Sequence, residues 1–141
     1  MIKKIKNSFI CEELPNNKLS IKYNKLSKEI IINKKDLFNE DYASLAGMIP
    51  DGSLIKDLMR VYFHQKKDLR KIDLFAVLIS KLFSPKSTIL YKADISGMQC
   101  YINSQTLARF MYHILEIPKS DESMRVPNGY LIPIKMLKLL I

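Results

Sequence analysis

Cysteine is scarce in this chain: Cys11 and Cys100 are the only two, they lie far apart, and neither sits in a C-x-x-C pair or a His/Cys cluster. That pattern argues against a disulfide framework and a zinc site, and leaves each as a reduced small hydrophobe expected in the core. No apolar run is long enough to cross a bilayer. The opening stretch "MIKKIKNSFICEELP" is basic but lacks the continuous apolar segment and small-residue cleavage site of a secretory signal, so a cytoplasmic chain without membrane association is expected. Internal repeats and low-complexity tracts are also missing.

What is present suits one compact unit. A length of 141 residues is enough to bury most of the apolar surface of one domain and too little for two ordinary ones. Hydrophobic residues make up 48% of the chain and the mean hydropathy is −0.05, values of a globular protein rather than a disordered or membrane-spanning one. The 23 Lys+Arg against 14 Asp+Glu give a formal charge of +9. Such a surplus favours a polyanionic partner through counterion release. Lysine- and isoleucine-rich usage also follows from a biased genome or a hot habitat, so charge alone does not decide the matter.

Residues 1–38 read as an N-terminal β-like arm, with strand-like runs at "KLSIKY" (Lys18 to Tyr23) and "EIIIN" (Glu29 to Asn33). From Asn39 to Ile141 the pattern changes. "NEDYASLAGMI" predicts a helix capped by Asn39 or Asp41 and stopped by Pro50. A strand-like stretch with a turn near Lys56-Asp57 leads into "LMRVYFHQ", where Met59, Val61 and Phe63 alternate with Arg60, Tyr62 and His64. Behind an Asp68 cap, Leu69, Ile72, Phe75, Ala76, Ile79 and Leu82 fall at helical spacing, and Pro85 follows. A second strand pair, "STILYKAD" and "MQCYINS", turns at Ser96-Gly97. Ser104 then caps a helix that Pro118 ends, and the remainder is a loop and a short apolar ending. The order helix, strand, strand, helix, strand, strand, helix predicts an α+β domain with an antiparallel sheet and helices on one face.

The chemistry concentrates in "SLAGMIPDGSL", Ser44 to Leu54. Ala43 and Gly47 share a helical face, with Ala46 beside them, and so slim a face lets a second helix approach at backbone distance. If that partner is the same helix of a second copy, a two-fold axis sets two Asp51 carboxylates side by side, where they repel unless a proton or a divalent cation lies between them. A paired-carboxylate metal site beside a basic sheet suits phosphodiester hydrolysis. The plain alternative is that Asp51-Gly52 is a turn at a helix exit.

"LAGMIPDGS", Leu45 to Ser53, resembles the signature of the LAGLIDADG homing endonucleases, and the element order after it resembles that family's αββαββα unit. "EIPKSDESMRVP", Glu116 to Pro127, is similar to the stretch that follows the last helix in many members. The resemblance covers Glu40 to Pro127. It implies a saddle-shaped antiparallel sheet in the DNA major groove, homodimers in single-motif members, and a divalent ion, usually Mg²⁺, on the motif's last acidic residue, here Asp51. It also implies a polar residue near the end of the second strand that holds metal-bound water, for which Gln65 is the nearest match. Here the motif is one residue short, Pro50 stands at its first acidic position, and the lysine expected near the last helix is missing from "NSQTL", with Lys66 or Lys92 as the nearest substitutes.

On this reading the outward strand residues Arg60, Tyr62, His64, Gln99, Tyr101 and Asn103 offer donors, acceptors and rings to base edges. Lys56, Lys66, Lys67, Arg70 and Lys92 suit phosphates. The expected function is a metal-dependent, site-specific endonuclease on double-stranded DNA, paired as a homodimer through the helix bearing Ala43, Ala46 and Gly47. The alternatives are a DNA-binding regulator or maturation factor without cleavage, or a remnant of a two-repeat endonuclease.

Overall fold

The structure, a computed structural model, describes residues 1–37, 39–48 and 55–119. Its elements run α1 (Ile2–Ser8), β1 (Ile10–Leu14), β2 (Lys18–Lys22), β3 (Ile30–Asn33), α2 (Glu40–Ala46), β4 (Ile55–Lys56), β5 (Arg60–Gln65), α3 (Leu69–Phe83), β6 (Ile89–Asp94), β7 (Gly97–Ile102) and α4 (Gln105–His113). This is an α+β fold with two antiparallel sheets, ordered β1-β2-β3 and β4-β5-β7-β6. From α2 to α4 the elements follow the order read from the sequence. No helix among the described residues is long and apolar enough to cross a membrane.

The helices begin where short polar side chains satisfy the first free N–H groups. Asn39 Oδ1 accepts from the amides of Asp41 (3.0 Å) and Tyr42 (3.4 Å), Asp68 Oδ1 from Arg70 (3.2 Å) and Ser104 Oγ from Leu107 (3.1 Å). The long helix α3 buries Ile72, Phe75, Leu78, Ile79, Leu82 and Phe83. Its expected stripe shifts: Leu69, in the first turn, is exposed, whereas Leu78 and Phe83 join the core. The helix α4 ends at His113, short of Pro118: Ile114 caps it with a last helical bond to the Phe110 carbonyl, Leu115 bonds back to that same carbonyl, and Glu116 turns left-handed, while Ile114, Leu115 and Ile117 enter the core.

The N-terminal residues expected as an arm are packed into the body. Ile5, Phe9, Leu19, Ile21, Ile30 and Ile32 belong to the same buried cluster as Phe63, Phe75 and Phe110. A relay of rings, Phe9–Phe110–Phe83–Tyr42, with centroids 5.7–6.1 Å apart, joins the segment after α1 to α4, α3 and α2. Thr106 of α4 accepts a 3.0 Å hydrogen bond from the Tyr23 amide, and the Arg109 guanidinium lies 4.1 Å from the Tyr23 ring centroid. The strand β3 packs on α3, which also contacts β5 and β7. Two elements here, α1 and β1, go beyond the two strands expected.

At the surface of this N-terminal sheet, Glu13 bridges Lys34 and Lys6. Hydrogen bonds from Lys34 first and Lys6 second pull its carboxyl down to about 2. A depressed carboxyl pKa contributes stability that is present above the ordinary range and is lost as pH falls toward 2. The Glu13 carboxyl resonance is therefore expected to titrate near 2 by NMR, and to return toward the ordinary range in a Lys6→Ala/Lys34→Ala variant. A Glu13 that titrates normally in the unsubstituted protein would mean both lysines stand off in solution.

Candidate nucleic-acid interface

The central strands β5 and β7 divide their side chains between two faces, as pleating requires, whereas the edge strand β6 is exposed along almost all its length. Val61 and Phe63 of β5 and Cys100 and Ile102 of β7 are fully buried on the helix side, where the Phe63 ring stacks on Phe75 of α3 at 5.5 Å. The opposite residues, Arg60, Tyr62 and His64 with Gln99 and Tyr101, are half-buried and point outward. Strand register then sets them in rows. Tyr62 pairs with Tyr101 and Tyr101 with Leu90, His64 pairs with Gln99 and Gln99 with Lys92, and Lys56 pairs with Arg60.

One end of this face is organised around Arg60. Its Nε donates to Asn103 Oδ1 at 2.8 Å and its guanidinium lies 4.4 Å from the Tyr101 ring centroid. Stacking and hydrogen bond together restrict the fork. No other hydrogen bond or ion pair holds it among the described residues, which leaves both Nη groups for a planar acceptor pair. At the other end the Ser96 hydroxyl lies 3.4 Å from His64 Nε2, and Asp94 accepts from the Ser96 amide at 2.8 Å and from its hydroxyl. These bonds from Ser96, followed by the nearby charges of His64 and Lys92, hold the Asp94 carboxyl below its ordinary range, so it is ionised at neutral pH. Sequence reading passed over this carboxylate; its position one residue before the hairpin turn was the available signal.

The cations divide by location. Lys6 and Lys34 pair with Glu13, Lys81 with Asp41 at 2.9 Å and Lys86 with Glu29 at 3.9 Å. Lys56, Lys66, Lys67 and Lys92, on or at the end of the outward face, have no carboxylate within 4.0 Å among the described residues. Their charge is therefore available to an anionic partner.

Not every candidate residue joins this face. Arg70 lies on α3, on the helix side of the sheet, 97% exposed and 3.9 Å from Asp68. Gln65 is opposite Met98, on the same strand parity as Val61 and Phe63, so it belongs to the helix side and not to the row that carries His64. Met59 falls in the turn before β5 and is exposed instead of following Val61 and Phe63 inward, because pleated alternation begins only at Arg60. On α2, Ala43 and Ala46 are 5% and 0% exposed and Gly47 is half-buried. Ala43 and Ala46 are thus covered within one chain, while Gly47 keeps part of its surface exposed, and α2 lies against α3. Asp51, the expected metal ligand, lies outside the described residues. Among those that are described, no group of three His, Cys, Asp or Glu residues could hold a metal ion.

Fold and site together define an α+β protein with a basic, polar, outward-facing antiparallel sheet. Comparison with protein-family models, curated proteins and solved structures finds no match to this chain.

Proposed function

We propose that this protein binds duplex DNA through the outward face of β4, β5, β7 and β6. The observation that carries the reading is the juxtaposition on one face of lysines without an ion pair among the described residues, a fixed Arg60 fork, two tyrosines and the His64–Gln99–Lys92 row. Lysines of this kind supply affinity through phosphates, whereas Arg60, Gln99 and Asn103 supply the donors and acceptors that distinguish base edges. An antiparallel ribbon has dimensions that fit the major groove, about 12 Å wide.

Within that reading, the "LAGMIPDGS" signature favours a LAGLIDADG-type homing endonuclease in which Asp51 binds Mg²⁺. The described residues supply no ligand set for the ion, so the metal assignment rests on the signature alone. A second reading, a DNA-binding regulator or maturation factor without cleavage, is favoured by the helix-side parity of Gln65 and by the lack of a lysine from Asn103 to Leu107.

Selection of bound duplexes from a random pool, followed by incubation with Mg²⁺, tests both. Binding that weakens steeply with salt is expected. Mg²⁺-dependent strand cleavage that Asp51→Asn abolishes, by about a hundredfold or more, while leaving affinity intact identifies the nuclease. Binding without cleavage identifies the regulator. Failure to retain any duplex at 50 mM salt would overturn the DNA reading altogether.

A further inference from the structure

Two turns at opposite ends of the outward face each present a fully exposed aliphatic side chain. Leu26, between β2 and β3, is 96% exposed, and Ile95, between β6 and β7, is 109% exposed; among the described residues the next large hydrophobic, Val77, reaches only 58%. Neither turn is loosely held. Asn24 Oδ1 accepts from the amides of Leu26 at 3.0 Å and Ser27 at 2.8 Å, and the Ser27 hydroxyl donates to the Asn24 carbonyl at 2.8 Å. Asp94 holds the other turn through the Ser96 amide. Turn positions ordinarily take Gly, Asn, Asp or Ser, and aliphatic side chains exposed to this degree bury almost no surface within the chain.

Their surroundings indicate what the tips meet. Lys25 and Lys28 flank Leu26 and Lys92 lies near Ile95, all exposed and without an ion pair among the described residues. Leu26 lines a groove with Met59, Leu90 and Asn103, which joins it to the Arg60 end of the face. From Leu90 to Ile95 is five residues along β6 and its turn, about 17 Å of extended chain. That is about five base steps at 3.4 Å per step.

We propose that Leu26 and Ile95 are paired wedges: with a duplex lying along the strands, each presses its side chain against a base step, partly unstacks it and bends the DNA. Minor-groove proteins kink duplexes with apolar side chains inserted between steps, and here the tips would unstack a step in the same manner from the major-groove side, with neighbouring cations neutralising the phosphates that the bend brings closer. The inference rests on the DNA reading above. An anionic membrane would also attract tips of this chemistry. However, it would have to cover His64, Gln99, Tyr62 and Tyr101 between them, leaving hydrogen-bonding groups without partners.

The test uses the full chain, a Leu26→Ser/Ile95→Ser variant and a Lys56→Ala/Lys92→Ala variant. The probe is a selected 30-bp duplex labelled at both ends for energy transfer. The wedge variant is expected to keep its circular dichroism and the salt dependence of binding, lose the bend-induced rise in transfer, and bind about tenfold more weakly. Unchanged transfer and affinity in the wedge variant, with binding still weakened about twenty-fivefold in the lysine variant, would overturn the wedges and leave the DNA reading standing. Should the unsubstituted chain bind no duplex, the DNA reading itself fails and the wedges with it. Leu26- and Ile95-dependent partition onto phosphatidylserine vesicles in that case would reassign the tips to a lipid surface.

Discussion

Replacing Lys56, Lys66, Lys67 and Lys92 together by alanine is expected to weaken duplex binding about a thousandfold near physiological salt. Each phosphate neutralised by a lysine contributes about 0.9 to the slope of log affinity against log salt. Four such contacts lower the slope by about three to four, and at 0.15 M salt each corresponds to about a fivefold change in affinity. The loss is specific to the partner because no carboxylate within 4.0 Å depends on these ammonium groups among the described residues. Surface substitutions of this type change stability by about 0.5 kcal/mol or less, so the variant should melt with the unsubstituted protein. Arg60→Gln serves as the contrast: it should lose about 1–3 kcal/mol on the preferred sequence while altering the slope little, since its fork is poised for a base edge. Titration by anisotropy at three salt concentrations reads both quantities. A quadruple variant with an undiminished slope would remove the outward face from DNA binding.

Gly97→Ala should damage the fold severely. Gly97 has φ +132°, a conformation that L side chains rarely adopt. A Cβ there would lie 2.3 Å from the Gln65 carbonyl oxygen and 2.8 Å from Lys66 Cα. Both obstacles are backbone, so no rotamer change relieves them, and either β7 moves away from the end of β5 or its hairpin with β6 distorts. Strained backbone costs about 1–3 kcal/mol and overpacking about as much again, which together give a loss of about 3–4 kcal/mol. For a domain of this size that lowers the melting temperature by about 10 °C or more. The consequence extends to function, because β7 carries Gln99 and Tyr101, and a slip of one residue would turn them toward the core. Thermal melting followed by circular dichroism checks the first effect and duplex affinity the second. An alanine variant that melts within about 2 °C of the unsubstituted protein would show that β5 and β7 do not approach as described.

Some of this was readable in the residues and some was not. Alternation in "RVYFHQ" and "MQCYIN" sorts Arg60, Tyr62, His64, Gln99 and Tyr101 from Val61, Phe63, Cys100 and Ile102 without knowledge of any neighbour, because pleating is a local property. The caps Asn39, Asp68 and Ser104 were legible for the same reason: each side chain satisfies amides only two or three residues away. The helix α1 was not, since a seven-residue segment with one fully buried residue, Ile5, carries almost no periodic signal and owes its stability to packing. The strand β1 keeps its side chains partly or wholly exposed, so it shows no alternation of burial to detect.

The sequence by itself determined the kinds of elements, their order from α2 to α4, and which strand residues look away from the core, because spacing and capping act within a few residues. Only the tertiary structure decided that β7 lies between β5 and β6, that Arg60 meets Tyr101 and Asn103, that Gln65 turns to the helix side, and that Ala43 and Ala46 are covered within the chain. Those outcomes depend on pairing register and on close packing between segments distant along the chain, and no local pattern encodes which of the available partners a strand or a slim helix will meet.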